Sequence, residues 1–266
     1  MGKILYRRTL LLGLAALSLV LAGCGATKLT SQWRDRKIVI DGDDVDWYDA
    51  KIHIDKTLVD IGIINDGDYL YVCLISADRS TQMQIARTGF TLWFDPGGGK
   101  SKKLGVRFPR GMRGQEAWAG VRNMRHGQGP DPGQLKTMFD QLLLQGEMEI
   151  LETKKKERRR LEVGRRSGPD VRAVYDRGRL VYELRMPLVQ GDFAIGVESG
   201  ATVGVGFTTP ELSRGSRGGS SGGLAGGGFG RRGGAGGGRR SGGGKGGNPD
   251  PLQIWTKVEL AQGPDR

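Results

Sequence analysis

"LQIWTKVEL", residues 252–260, is an ordinary strand-like segment in an unusual place, because it follows "GGLAGGGFGRRGGAGGGRRSGGGKGG", residues 222–247, which cannot fold by itself. Leu252, Ile254, Thr256, Val258 and Leu260 fall on one side of an extended chain, a mostly apolar face that asks for burial. A lone strand after an unstructured tail would leave that face and its backbone groups without partners. The glycine-rich run, residues 213–249, is therefore expected to be a disordered loop between the penultimate and final strands of one domain. Such a loop is tolerable because closure entropy grows only logarithmically with length. Glycine with scattered charge keeps it soluble.

The same period-2 alternation recurs upstream. "KIVIDG" (37–42) alternates and stops at a turn, and "LVDIGIINDGDYLYVCLISAD" (58–78) reads as two strands joined at Asn65-Asp66-Gly67-Asp68. "TGFTLWFDPGGGKS" (88–101) gives a strand with Phe90, Leu92 and Phe94 on one face, ended by Pro96 and three glycines. "KLGVRFP", "GEMEILE", "DVRAVY", "RLVYELRMPL" and "ATVGVGFTT" continue the pattern, with a turn at Asp176-Arg177-Gly178. Only "STQMQIAR" (80–87) and "PGQLKTMFDQLLLQ" (132–145) read as helices. About nine or ten strands against two short helices predict an all-β fold, an antiparallel, jelly-roll-like β-sandwich spanning 37–260, with residues 261–266 as a short tail.

Before the sandwich, "MGKILYRRTLLLGLAALSLVLAGC" has a basic start (Lys3, Arg7, Arg8), a short apolar run and small residues ahead of a cysteine. That is the organisation of a secretory signal, too short and wrongly flanked for a transmembrane span. "LAGC" (21–24) resembles the lipobox of bacterial lipoproteins. The resemblance implies that residues 1–23 are removed, Cys24 is lipidated by diacylglyceryl and acyl (palmitate-type) chains, and residues 24–36 form a tether to the membrane. Gly25 in place of an aspartate favours the outer membrane of the cell envelope. With Cys24 lipidated, Cys73 has no disulfide partner, and its apolar setting in "YLYVCLIS" predicts a small core residue.

The formal charge of +12 suggests nucleic acid until the charges are located. Three lie in the signal, and seven (Arg214, Arg217, Arg231, Arg232, Arg239, Arg240 and Lys245) lie in the glycine-rich region, which has no acid between Glu211 and Asp250. Removing those ten leaves +2, so the folded part is nearly neutral. "KKKERRR" (154–160) reads as a solvated strand end or loop. Export makes nucleic acid an unfavoured partner; the six loop arginines are expected, if they act at all, to touch anionic lipid, lipopolysaccharide or another polyanion.

In order along the chain, "IVIDGDDVDW", "NDGDYLYVCL", "FTLWFDPGGGKS", "GRLVYELRMPL" and "WTKVEL" resemble the family 9 carbohydrate-binding module and the wider DOMON-like β-sandwich superfamily, over roughly residues 37–260. The resemblance implies a sandwich, and a ligand class ranging from sugars to haem. Sugar recognition needs exposed aromatic faces for C–H stacking plus a few polar groups. Trp93, pointing away from Leu92 and Phe94, and Trp118, in the irregular "GQEAWAGVRN", are the candidate stacking residues. Trp47 is expected to plug one end of the sandwich, and Trp255 to be half-buried. Haem would need axial ligands, and His53 and His126 have no partner at a useful spacing.

Asp41, Asp43, Asp44 and Asp46 place hard oxygens within one turn and are a candidate calcium site, although acids also serve ordinary turn chemistry. No other cofactor is expected. Catalytic motifs are missing: "DPGGGKS" lacks the spacing of a phosphate loop, and Asp95 and Glu183 cannot be placed together from sequence. The expectation is a non-enzymatic envelope lipoprotein that binds carbohydrate, the alternative being a structural or adaptor lipoprotein that binds an envelope protein.

Overall fold

The computed structural model describes residues 27–54, 57–112, 131–144, 146–211 and 251–264. Its strands are β1 (Thr27–Thr30), β2 (Gln32–Trp33), β3 (Lys51–Ile54), β4 (Val59–Asn65), β5 (Tyr69–Ser76), β6 (Thr91–Asp95), β7 (Leu104–Arg107), β8 (Glu147–Glu152), β9 (Glu157–Glu162), β10 (Asp170–Asp176), β11 (Arg179–Pro187), β12 (Thr202–Thr208) and β13 (Gln253–Glu259). The helices are α1 (Arg79–Thr88) and α2 (Pro132–Leu143).

These strands form a β-sandwich of two sheets. The seven-stranded sheet runs β1-β13-β12-β6-β7-β8-β9; the six-stranded sheet runs β10-β11-β5-β4-β2, with β3 also paired to β4. Pairing is antiparallel except for β1 with β13 and β2 with β4. Between the sheets lies one apolar core, to which Ile61, Ile63, Val72 and Leu74 contribute from one side and Leu92, Phe94, Val205, Phe207 and Val258 from the other. Alternation does this: each strand sends every second side chain inward.

The final strand is where "LQIWTKVEL" was expected. β13 lies antiparallel beside β12, with Thr208 opposite Gln253, so the residues on either side of the glycine-rich run are cross-strand neighbours. Residues 212–250 themselves, including Arg214, Arg217, Arg231, Arg232, Arg239 and Arg240, lie outside the described residues, as do Cys24, Trp118 and His126.

Both helices form as expected. Asp78 caps α1 by accepting from Thr81 N, and Gly89 ends it at φ 84°. Asp131 and Gln134 make a reciprocal capping box on α2, with Pro132 at its first turn. Leu135, Phe139 and Leu142 of α2 enter the core, where Phe139 stacks on Tyr175 at 5.1 Å.

Four details differ from the sequence reading. There are thirteen strands among the described residues rather than nine or ten. β1 and β2 lie before residue 37, where a tether was expected, and zip onto β13 and β4. β9 carries "ERRRLE" as an edge strand paired with β8, its arginines in solvent. "KIVIDG" is not a strand: Val39 N bonds to Asp46 Oδ2 and Asp41 N to Glu183 Oε2, so side chains replace a partner strand.

That segment crosses the outer face of the six-stranded sheet. There Ile38, Trp47 and Ala50 close a second apolar cluster with Ile64, Tyr71, Cys73, Ile75 and Val181. Trp47, fully buried, thus packs on the outside of a sheet and not at the end of the sandwich.

Candidate functional site

The opposite outer face, on the seven-stranded sheet, is built differently. In "TVGVGFT" the inward positions are Val203, Val205 and Phe207, which leaves Thr202, Gly204, Gly206 and Thr208 facing out. β6 turns out Thr91, Trp93 and Asp95, and β13 turns out Gln253, Trp255, Lys257 and Glu259. The register then aligns one row across six strands: Trp255, Gly206, Trp93, Gly105, Leu151 and Arg158.

Two half-buried indoles occupy this row, each lying on a glycine. A Cβ added to Gly206 would fall 2.6 Å from the Trp255 ring, and one added to Gly105 would fall 2.7 Å from the Trp93 ring. Both rings therefore rest flat on neighbouring backbone that only glycine leaves open, and both lean the same way along the row. Trp93 Nε1 donates to Thr208 Oγ1 at 3.1 Å, which fixes its orientation. One strand separates the two residues, so their Cα atoms stand roughly 10 Å apart, two inter-strand spacings.

The turn after β6 rims this platform. Asp95 Oδ1 accepts from Gly97 N at 3.1 Å and Oδ2 from Ser101 N at 2.9 Å, while Lys103 Nζ pairs with it at 2.8 Å. Burial acts to raise the Asp95 pKa, but the Lys103 ammonium and the two N–H groups outweigh it and hold it at about 2. The turn settles onto β12, where any side chain at Gly204 would clash with the Gly99 carbonyl. Lys102 leaves the turn with its Nζ 5.7 Å above the Trp93 ring centroid. "DPGGGKS" thus links two strands and builds a rim.

The other candidates fall elsewhere. Asp41 Oδ1 accepts from Asp43 N, Asp43 Oδ1 from Val45 N, and Asp46 Oδ2 from Val39 N. Asp44 is paired with Lys51 at 2.7 Å and Arg179 at 2.8 Å. Burial acts against its charge, yet these two cations keep its pKa below the usual range. The four aspartates thus spend oxygens on turn N–H groups and cations, and no group of three or more His, Cys, Asp or Glu among the described residues is placed to hold a metal.

Glu183 is fully buried on the outer face of the six-stranded sheet, at the far side of the sandwich from Asp95. It accepts from Asp41 N at 3.0 Å, Gly42 N at 2.6 Å and Trp47 Nε1 at 2.6 Å. Burial raises its pKa to about 7 against the pull of these donors. Burial beside Glu183 also pushes the Cys73 thiol well up, which fits a core residue. His53 pairs with Asp60 at 2.7 Å on the surface.

The sequence pointed to Trp93, and the structure confirms its outward direction; it missed Trp255 as a companion and the glycines as a floor. The available signal was the glycine at alternate, outward positions of "TVGVGFT", which marks close approach of another group.

No protein-family model matches the chain, and no curated protein matches it. Among solved structures, it is similar to a family 9 carbohydrate-binding module from Caldicellulosiruptor kristjanssonii in complex with glucose, at 11% identity, covering 70% of this chain and 78% of that one, with a TM-score of 0.30. The same module in complex with cellotriose aligns at 10% identity over 70% and 77%, again with a TM-score of 0.30.

Proposed function

We propose that the chain is a non-catalytic glycan-binding module held at the cell envelope by lipid on Cys24. One observation carries this reading: Trp93 and Trp255 stand in one row on an outer sheet face, each seated on glycine with one ring face turned from the backbone. A pyranose presents a flat patch of C–H groups that stacks on such a ring. Two rings roughly 10 Å apart suit alternate sugars of an extended chain. Exposed Thr202, Gln253, Lys102 and Lys257 around them supply hydrogen-bonding groups. Asp95 and Glu183 serve structure on opposite faces, their oxygens taken up by N–H and ammonium donors, which supports binding over acid-base chemistry.

Calorimetry on the chain from residue 25 onward, which contains every described strand, against a panel of oligosaccharides tests this. Binding by one sugar class, weakened about tenfold by Trp93→Ala or Trp255→Ala, is the expected result, corresponding to about 1.4 kcal/mol per ring. No binding to any glycan, or binding indifferent to both substitutions, would reject it and leave the adaptor reading in its place.

A further inference from the structure

Building on the glycan reading of the platform, we infer that its ligand is acidic: a glycan whose sugars carry anionic groups. The argument is the distribution of charge around the two indoles. Lys102 stands over Trp93, Lys257 is two residues along β13 from Trp255, and Arg158 closes the same row on β9, with Arg160 next to it on that face. All four are exposed, and none has an ion pair among the described residues.

Four of the five acids on the strands of this face are already engaged. Asp95 is held by Lys103, Glu259 by Lys28 at 2.8 Å, Glu147 by Arg110 at 3.4 Å, and buried Glu149 lies 3.9 Å from Arg107. Glu162 stands at the far corner, four residues along β9 from Arg158. Outside the signal and the glycine-rich region the chain carries only +2, so four free cations on one face are a local concentration and do not reflect overall basicity.

Their placement follows the stacking row. A glycan laid across the strands meets Trp255, then Trp93, then Arg158 roughly 14 Å farther on, three inter-strand spacings away. Lys102 Nζ lies 5.7 Å from the Trp93 ring centre, so an anionic substituent on a sugar stacked there lies within its reach. A neutral glycan would leave these cations without an anion to pair with.

The test compares oligogalacturonate with the same oligomer after carboxyl reduction, and adds dextran sulfate and polyglutamate, by calorimetry in low and physiological salt. Carboxylated or sulfated sugar should bind at least about tenfold tighter than the neutral oligomer, the sum expected of three or four exposed charge contacts. The preference should shrink with salt. The charged pair of probes distinguishes carboxylate from sulfate as the anion read. Replacing Lys102, Lys257 and Arg158 together by Gln should abolish the preference while the melting temperature holds.

Equal affinity for acidic and neutral oligomers would overturn the inference and leave the glycan reading intact. Polyglutamate binding as well as the acidic sugars, unaffected by Trp93→Ala, would also overturn it, reducing the face to a charge patch. Failure of every sugar would remove the glycan reading itself.

Discussion

The two outer faces of the sandwich use one device to opposite ends. On the six-stranded sheet, Trp47 lies over Gly62, where an added Cβ would fall 2.6 Å from its ring. On the seven-stranded sheet, Trp255 lies over Gly206 and Trp93 over Gly105 with the same closeness. The difference is on the other side of the ring. Residues 38–50 roof Trp47 and its N–H is tied to Glu183, so it is fully buried; Trp93 and Trp255 stay half-open. A tryptophan on a glycine is therefore a packing solution in one place and a platform in the other, and only what crosses above it separates the two.

The largest effect that can break this contrast is truncation of the indoles. Trp47→Ala empties the second cluster and strips Glu183 of a donor, and should cost about 3–5 kcal/mol in urea unfolding. Trp93→Ala and Trp255→Ala remove half-open rings and should each cost only about 1 kcal/mol. Equal losses at the three positions would mean that the platform is as closed as the roofed face.

Next comes pH, because one buried carboxyl on each face has a shifted pKa, and the two are perturbed in opposite directions. The folded-state pKa of Glu183 is raised to about 7, chiefly by burial, so the native state holds a proton that the unfolded chain releases. Its stability contribution is present at low pH and is lost as pH rises from about 4.5 to about 7. Asp95 is the reverse: burial is outweighed by Lys103 and two N–H donors, its folded pKa is about 2, and its contribution is lost as pH falls from about 4 to about 2. These two contributions together should therefore peak between pH 4 and 5, with the acid limb about 2 kcal/mol deep and the other about 3 kcal/mol deep. Chemical denaturation across pH should show Asp95→Asn flattening the acid limb alone and Glu183→Gln the other, on a protein destabilised by about 2 kcal/mol because an amide N–H would then face N–H donors.

Much of the fold was legible because its cause is local. Alternating apolar residues placed β4 to β8 and β10 to β13, and the apolar spacing of "PGQLKTMFDQLLLQ" placed α2. β9 was obscured because an edge strand buries little, so "ERRRLE" has no apolar period beyond Leu161. "KIVIDG" misled for the converse reason: it has the period of a strand and packs like one, but its N–H groups go to Asp46 and Glu183, distant in sequence or set by a turn. The site was half legible. That Trp93 faces out follows from its neighbours; that Trp255 shares its row depends on the register of β13 against β12 across the whole glycine-rich connection, which no local pattern contains.

The smallest effect sharpens the comparison most, because the same methyl group can be added under a ring on each face. At Gly206, Ala would press on the Trp255 ring from below, and an open ring can lift; alanine also suits a strand better than glycine, so the net change in stability should stay within about 1 kcal/mol. The lifted ring no longer lies against Gly206 as Trp93 lies against Gly105, and glycan affinity should fall several-fold, with a shift in tryptophan fluorescence. At Gly62 the roof formed by residues 38–50 stops Trp47 from lifting, so Gly62→Ala should cost about 1–3 kcal/mol by overpacking. The two substitutions alter the backbone and the buried volume alike, which leaves the freedom of the ring as the variable. If Gly206→Ala costs as much as Gly62→Ala, Trp255 is held from above as Trp47 is, and the outer face of the seven-stranded sheet is not free to receive a ligand.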